Sequence, residues 1–544
     1  MTRNVARILI FLRKMRRHLG RFDVFGVWFF AIVIGVAGAY GVILFRLAID
    51  AVSMIAFGES EAAIASGAAS LGVGRAWAAP VIGGLCVSGL LYLADRFKWL
   101  EDGHGQGIAD VIEARAVTGG RVSLRSGLAA ATVSVISLGA GASAGREGPA
   151  VHIGAAIASI LDRHMGFTAK QRRTLLGCGA AAAVAASFNA PVAGVLFALE
   201  VILGNYALSV FGPIAAASVA AAIIARIHLG DFPAFAPPDY GAATAIDVPF
   251  AALLGLICGL IASGFLISIK RITGQAQDLM KRYGFSYLFL PPLGGVVVGL
   301  IGAFYPETFG VGYESVTNAL KGEYTIFALI VIVMMKCAAT AVTLSTRFGG
   351  GVFSPGLVIG AFAGAAFGAI LAQAFPGATA SPVYYAMIGM GAAGGAILGA
   401  PISTTLIVFE MTGEYGITLS LMVAVAIATL IVQWLCRRSF FHWQLSQRGY
   451  DLSEGPQGVI LKTIRVRDVM DKMPPGAPLS DDADRLETSH SLGEALAKLN
   501  AVEEHGLPIV DSDDRDKVIG YLSRVKALAA YNKALIEDNI EHHT

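Results

Sequence analysis

Between Arg347 and Glu410 the chain carries no charged residue, over a length sufficient for three membrane spans of ~20 apolar residues each. Three plain helices do not account for it. The stretch holds Pro355, Pro376, Pro382 and Pro401 together with Gly349-Gly350-Gly351, and proline marks helix boundaries. The expectation is a set of short helices joined by irregular backbone. Such backbone is tolerated at membrane depth only where protein buries it or where it lines a cavity. The chain is 55% hydrophobic and 15% charged, against about 25% charged in soluble domains. Further uncharged runs at 24–45, 76–94, 174–199, 201–225, 249–269, 283–306 and 415–436 read as spans, one of them broken by Asn189-Ala190-Pro191.

Comparing the chain with itself shows a repeat. Asn189-Ala190-Pro191 followed by Glu200 recurs as Gly399-Ala400-Pro401 followed by Glu410. Gly145, Pro149, Ile153 and Gly154 match Gly351, Pro355, Ile359 and Gly360. Gly177-Cys178-Gly179-Ala180-Ala181 resembles Gly389-Met390-Gly391-Ala392-Ala393. The blocks recur in the same order at nearly constant spacing, which gives halves of about 76–225 and 249–437. Paired halves with interrupted helices mark transporters whose site lies where the repeats meet.

One charged pair falls inside this apolar frame, in Gly145-Arg146-Glu147-Gly148-Pro149. Ionisable groups at membrane depth are costly and mark ion or proton pathways. The glycines leave backbone amides open to close approach, and Pro149 suits a helix's first turn, where a missing N–H is no loss. Glycine-rich backbone running into a helix N-terminus holds anions. The residues together suggest an anion site with a carboxylate placed to compete for it. The alternative is a structural ion pair of Arg146 with Glu147.

These segments resemble the CLC family of chloride channels and chloride/proton antiporters. The resemblance rests on Gly145-Arg146-Glu147-Gly148-Pro149, Gly351-Val352-Phe353-Ser354-Pro355, Gly105-Gln106-Gly107-Ile108-Ala109 and the paired Ala-Pro…Glu segments, and covers about residues 24–445. It implies an all-α polytopic membrane protein of two inverted repeats of tilted and broken helices. It also implies a homodimer with one anion pathway per subunit. By resemblance, the amides near Arg146, Glu147 and Gly148 and those of Val352, Phe353 and Ser354 line the outer and central anion sites. Gly105, Gln106, Gly107 and Ile108 face the inner side, and Glu147 is the gate.

The chain departs from the family pattern in four places. Gln106 replaces a serine or similar small residue, and Ala109 replaces proline. Phe441, in Ser439-Phe440-Phe441-His442, falls where the family often has a tyrosine, so the ring is kept and the hydroxyl donor lost. Val201 follows Glu200 where proton-coupled members often carry a second glutamate, and valine cannot carry a proton. The expectation is a gated passive chloride channel, with chloride/proton antiport as the alternative. Glu200 and Glu410, at matching repeat positions, read as caps on neighbouring backbone. Lys336 either raises the potential of the pathway or pairs with Glu314 or Glu323, and Arg347 either lies at the pore mouth or caps it.

The flanks differ in character. Residues 1–22 carry Arg3, Arg7, Arg13, Lys14, Arg16, Arg17 and Arg21 and no acid, which predicts a cytoplasmic amino end. The membrane domain spans 23–448, followed by a linker at 449–460. From 461 to 544, 16 acids face 11 bases, a soluble composition that places the tail in the cytoplasm. Asp468-Val469-Met470 and the segments around His505–Asp511 and Val518–Leu522 read as strands, and 491–500 reads as a helix capped by Ser491 with Glu494 three residues on. This resembles a single cystathionine-β-synthase (CBS) module, but Lys526 stands where the family's nucleotide-binding aspartate would be, so a structural role is expected. The stretch 473–486 reads as a mobile linker.

Five scattered cysteines read as core residues rather than as disulfides or metal ligands. No metal, cofactor, nucleic acid or enzymatic activity is expected. The partners are chloride and similar anions, lipid, and a second subunit in a bacterial inner membrane. Two other classes stay open. Gly141-Ala142-Ser143-Ala144-Gly145 matches the pattern of a serine hydrolase, with His152 nearby, and a lipid-packed receptor or scaffold would carry no anion flux.

Overall fold

A computed structural model describes residues 23–99, 107–230, 235, 238, 246–450, 461–462, 464–472, 485–502, 505–511 and 517–543. The basic segment 1–22, Gly105 and Gln106, and most of the linkers at 449–460 and 473–486 lie outside these residues. The chain divides into two units, one reaching Phe441 and a second from His442 onward that also takes in Ala207–Ser209.

The first unit is helical. Its first half comprises α1 (Asp23–Phe57), α2 (Ile64–Leu71), α3 (Val73–Arg96), α4 (Ile108–Val117), α5 (Leu124–Gly139), α6 (Glu147–Met165), α7 (Ala169–Phe188), α8 (Pro191–Phe197) and α9 (Leu208–Leu229). The second comprises α10 (Asp247–Tyr283), α11 (Leu290–Phe304), α12 (Tyr313–Leu320), α13 (Ile326–Ser345), α14 (Phe353–Ala374), α15 (Pro382–Leu398), α16 (Pro401–Thr412) and α17 (Thr418–Cys436), and the short α18 (Phe440–Gln447) follows, most of it in the second unit. Among the described residues, eight helices are long and apolar enough to cross a membrane. The uncharged run after Arg347 becomes α14, α15 and α16, broken where the prolines fall.

The repeat seen in the sequence is a repeat of backbone conformation. Arg146, before α6, has φ −89° and ψ −12°, and Val352, before α14, has −91° and −13°. Ala190 and Ala400 adopt −124°/79° and −130°/71° ahead of Pro191 and Pro401. The helices before them end in left-handed residues, Asn189 at φ 56° and Gly399 at φ 72°, a conformation that asparagine and glycine tolerate best.

Packing explains much of the glycine. Helix α6 crosses α7 at Gly154 and Gly179, and α14 crosses α15 at the equivalent Gly360 and Gly389. A side-chain carbon on any of the four would run into the opposing glycine's carbonyl. Without a hydrophobic drive between helices in lipid, such close approach supplies the packing energy. It also leaves α14 and α15 almost wholly buried.

The second unit carries a three-stranded sheet of order β1-β2-β3, from β1 (Leu486–Glu487), β2 (Gly506–Val510) and β3 (Val518–Ser523). β1 runs parallel to β2 and β3 antiparallel to it. Leu486, Leu492, Leu499, Leu507, Ile509 and Leu522 form its core. Helix α20 (Leu492–Ala501) starts as the sequence predicts: Glu494 N donates to Ser491 Oγ at 3.2 Å, and Ser491 N donates to Glu494 Oε2 at 2.7 Å. These donors hold the Glu494 carboxyl below its ordinary range. Asp468 is not in a strand, because Val466–Val469 forms the one-turn helix α19, with Asp468 Oδ2 accepting from Arg465 N at 3.3 Å. Leu486, expected in the linker, is instead the buried start of β1. Lys526 lies on the last helix, α21 (Arg524–His543), and pairs with Asp471.

Gly360→Ala should destabilise the first unit by about 1–3 kcal/mol, the usual cost of overpacking a tight interior. A lowered melting temperature in detergent checks this. An unchanged one would show that the α14–α15 crossing can open.

Candidate anion site at the meeting of two helix ends

The two motif loops are joined directly. Gly145 N donates to Gly351 O at 2.7 Å, and Gly351 N donates to Gly145 O at 2.8 Å, an antiparallel bridge between the repeats. This bridge sets the start of α6 beside the start of α14. The first four N–H groups of a helix lack intrahelical partners, and proline sits third in both helices, at Pro149 and Pro355. Each helix therefore starts with two amides that have no intrahelical partner, those of Glu147 and Gly148 and those of Phe353 and Ser354, in addition to its dipole of roughly +0.5 charge.

The Glu147 carboxylate lies in this place. Glu147 is 2% exposed, and its Oε1 accepts a hydrogen bond from Ser354 Oγ, on the helix of the opposite repeat. Its Oε2 has no hydrogen-bond partner among the described residues. A side-chain carbon at Gly145 would meet that oxygen and come within 3.1 Å of Ser354 N, so glycine leaves room for the carboxylate to fold back. Phe353 packs edge-on against Phe188 at 5.2 Å.

Arg146 does not pair with Glu147. Its Nη1 donates to Glu61 Oε2 at 2.8 Å, and its guanidinium lies 5.0 Å above the Tyr313 ring. Arg146 and Glu61 are 5% and 3% exposed. Breaking such a buried pair from one side costs about 3–5 kcal/mol. Both residues line a cavity of about 500 Å³, with Arg46, Tyr313 and Lys321 also on its wall. Glu61 was not legible in the sequence: it opens a single 3₁₀ turn, Glu61–Ala63, in a connection whose acids, Glu59 and Glu61, look like ordinary surface charge.

The third motif reaches the same point. A side-chain carbon on Gly148 would touch Gly107 Cα and Gly351 Cα, each at 3.8 Å, so all three glycine motifs converge there. Gly107 N, however, donates to the Asp110 carboxylate. That amide is already satisfied, against the expectation that it faces an anion. Ile108 is buried at the first position of α4, and Val352 is buried at the cap of α14. Phe441 is buried and packs edge-on against Phe440 at 5.8 Å.

Three other acids of the membrane unit serve helix ends. Glu200 accepts from Ile402 N at 3.1 Å and Ser403 N at 2.7 Å, at the start of α16. Glu410 accepts from Val192 N at 3.0 Å and Ala193 N at 2.7 Å, at the start of α8. Each repeat thus caps the broken helix of the other. Val201 is half-buried in the π-helical turn Ala198–Leu203. Lys336 pairs with neither Glu314 nor Glu323. Fully buried, it donates to Thr308 O at 3.0 Å and Gly310 O at 2.9 Å, while Glu314 accepts from Ala65 N and Ser66 N at the start of α2. Arg347 lies 4.7 Å above the Tyr287 ring.

Ser143, fully buried in the loop between α5 and α6, shares a 2.9 Å hydrogen bond with Thr340 Oγ1 of α13. The strand-to-helix elbow of a serine hydrolase is absent there, and nothing supports that reading.

Glu200→Ala should strip the cap from α16 and cost about 1.5–3 kcal/mol, the range for hydrogen bonds to a charged group. A lowered melting temperature with an unaltered pH profile of transport is the expected result. A changed pH profile would instead give Glu200 a part in proton handling.

Comparison with known proteins gives a consistent picture. Residues 83–433 match the family model described as voltage gated chloride channel. A ClcB-like chloride channel protein of Ralstonia nicotianae is 33% identical over 396 residues, covering 72% of this chain and 90% of its own length. The voltage-gated ClC-type chloride channel ClcB of Escherichia coli is 29% identical over 424 residues, 77% of this chain and 98% of its own. A slow cyanobacterial Cl⁻/H⁺ antiporter of known structure superposes with a TM-score of 0.68 at 23% identity, over 78% of this chain and 97% of that one. A CLC-type fluoride/proton antiporter gives 0.61 at 21%, over 78% and 98%. At such identities the structural likeness speaks for the fold.

Proposed function

The chain belongs to the voltage-gated chloride channel family, and we propose that it is a gated passive chloride channel whose gate is Glu147. It is an integral membrane protein, and its family transports chloride and other anions across membranes. The observation that carries the gate is the Glu147 carboxylate at the start of α14, hydrogen-bonded by Ser354. Chloride crossing a membrane needs donors in place of water, yet must be held weakly enough to leave. Free amides and a helix dipole meet both needs. The amides of Arg146, Glu147, Gly148, Val352, Phe353 and Ser354, with the Ser354 hydroxyl, are the donors in this reading. An ionised Glu147 takes the anion's place. A protonated one loses its attraction to these donors and yields the position to chloride.

The passive mode rests on Val201, which cannot relay a proton inward. Antiport is the second reading, favoured by the antiporters among the structural neighbours. The basic amino end supports a cytoplasmic N-terminus, in a bacterial inner membrane, with the acidic tail on the same side. Helix α1 then ends at the outer face, and the cavity beside Arg146 opens outward. The family resemblance supports a homodimer with one pathway in each subunit and a CBS-like tail, and Lys526 at the position of the nucleotide-binding aspartate speaks against nucleotide binding there.

Purified protein in liposomes under a chloride gradient should release chloride with little proton movement, and faster as outside pH falls from about 7.5 towards the ordinary glutamate range near ~4.3. Glu147→Gln should give high, nearly pH-independent flux. Chloride-driven uphill proton pumping would establish antiport instead. A variant that keeps the wild-type pH profile would remove Glu147 from the gate.

A further inference from the structure

Glu61 is buried in the wall of the outer cavity and has no counterpart in the motifs that carry anion transport. Its Oε2 takes the Arg146 hydrogen bond at 2.8 Å, and its Oε1 has no hydrogen-bond partner among the described residues. Its backbone is fixed as well, since Glu61 N donates to Asp50 Oδ1 at 3.0 Å. On the far side of Arg146 lies Tyr313. The loop leading to Tyr313 is held by Lys336 through the carbonyls of Thr308 and Gly310. The guanidinium is thus held by Glu61 and Tyr313, one residue before the gate carboxylate.

We propose that Glu61 is a positioning residue for the gate: it holds Arg146 in the cavity wall and balances its charge, so that Glu147 keeps only a weak hold on the anion position. The inference rests on the reading of Glu147 as the gate. A pair needed for stability alone is commonly replaceable by apolar residues without loss. What an apolar pair cannot do is set the field at Glu147. With Glu61 neutralised, Arg146 becomes an uncompensated positive charge beside the gate, and a negative charge that repels Glu147 is gone. Both changes favour the ionised, closed carboxylate, so opening then needs more acid. The charged and titratable groups facing Glu61 are Arg46 and Asp50 from α1, Arg146 and Glu147 at the start of α6, Tyr313 from α12 and Lys336 from α13.

The test is chloride efflux against outside pH for the full chain in proteoliposomes, with melting temperatures from the same preparations. Glu61→Gln should move the midpoint of acid activation down by about one pH unit, at the lower end of what a neighbouring charge does. Glu61→Asp, which keeps the charge, should stay near wild type. Arg146→Gln leaves Glu61 uncompensated and should move the midpoint up, and it stands as the test if Glu61→Gln cannot be purified. Wild-type midpoints in all three, with only stability changed, would overturn the inference and make the pair structural. Glu147→Gln, run alongside, separates the two ideas. If its flux is pH-independent while the Glu61 variants show no shift, the gate stands and the positioning role falls. If Glu147→Gln keeps the wild-type profile, both fall.

Discussion

Backbone N–H groups at the ends of interrupted helices, set among apolar segments, must find acceptors, and the rest of this structure follows from where they find them. A chain that breaks its spans at Pro149, Pro191, Pro355 and Pro401 creates four such ends. Two are closed by permanent caps, Glu410 on α8 and Glu200 on α16, each taking two amides of the opposite repeat. The other two, α6 and α14, are brought side by side by the Gly145–Gly351 bridge, and the Glu147 carboxylate of one accepts from the Ser354 hydroxyl of the other. That carboxylate has one oxygen lacking a hydrogen-bond partner among the described residues. The contrast between carboxylates that each bind two amides of a neighbouring helix and one joined to the opposite helix by a serine hydroxyl is the physical basis for reading Glu147 as mobile and Glu200 and Glu410 as fixed.

The same economy governs the buried cations. Arg146 is paired with Glu61 and stacked on Tyr313, and Lys336 is spent on two carbonyls of the loop before α12. Neither is left to bind an anion as a full charge, which would hold chloride too tightly for passage. In the proposed reading the position at the start of α14 is thereby left to partial charges.

Much of this was legible in the sequence because the repeat is carried by residues with few conformational substitutes. Glycine at 145 and 351 and proline at 149, 191, 355 and 401 force the same backbone in both halves, so the broken helices and the meeting of the motifs could be read directly. The caps could be read too, since Glu200 and Glu410 recur at matching positions. The partners of Arg146 and Lys336 could not. Glu61 lies far from Arg146 in the chain, in a loop with no repeat counterpart, and the carbonyls of Thr308 and Gly310 leave no mark in side-chain identity. The Asp110 carboxylate on Gly107 was missed for a related reason: a helix-start acid looks alike whether it closes an amide or leaves it open. In the tail, the β2–β3 hairpin was readable from its apolar runs, whereas 466–469 forms a turn of helix because Asp468 caps it.

The central claim is that the Glu147 carboxylate sits in a place built for an anion. Anomalous diffraction from Glu147→Gln crystals grown in bromide tests it most directly. The account predicts a bromide peak at the start of α14, within hydrogen-bond reach of the Ser354 hydroxyl and of the Phe353 and Ser354 amides, where the wild-type carboxylate lies. An ordered site there that stays empty of bromide while the variant keeps its fold would contradict it.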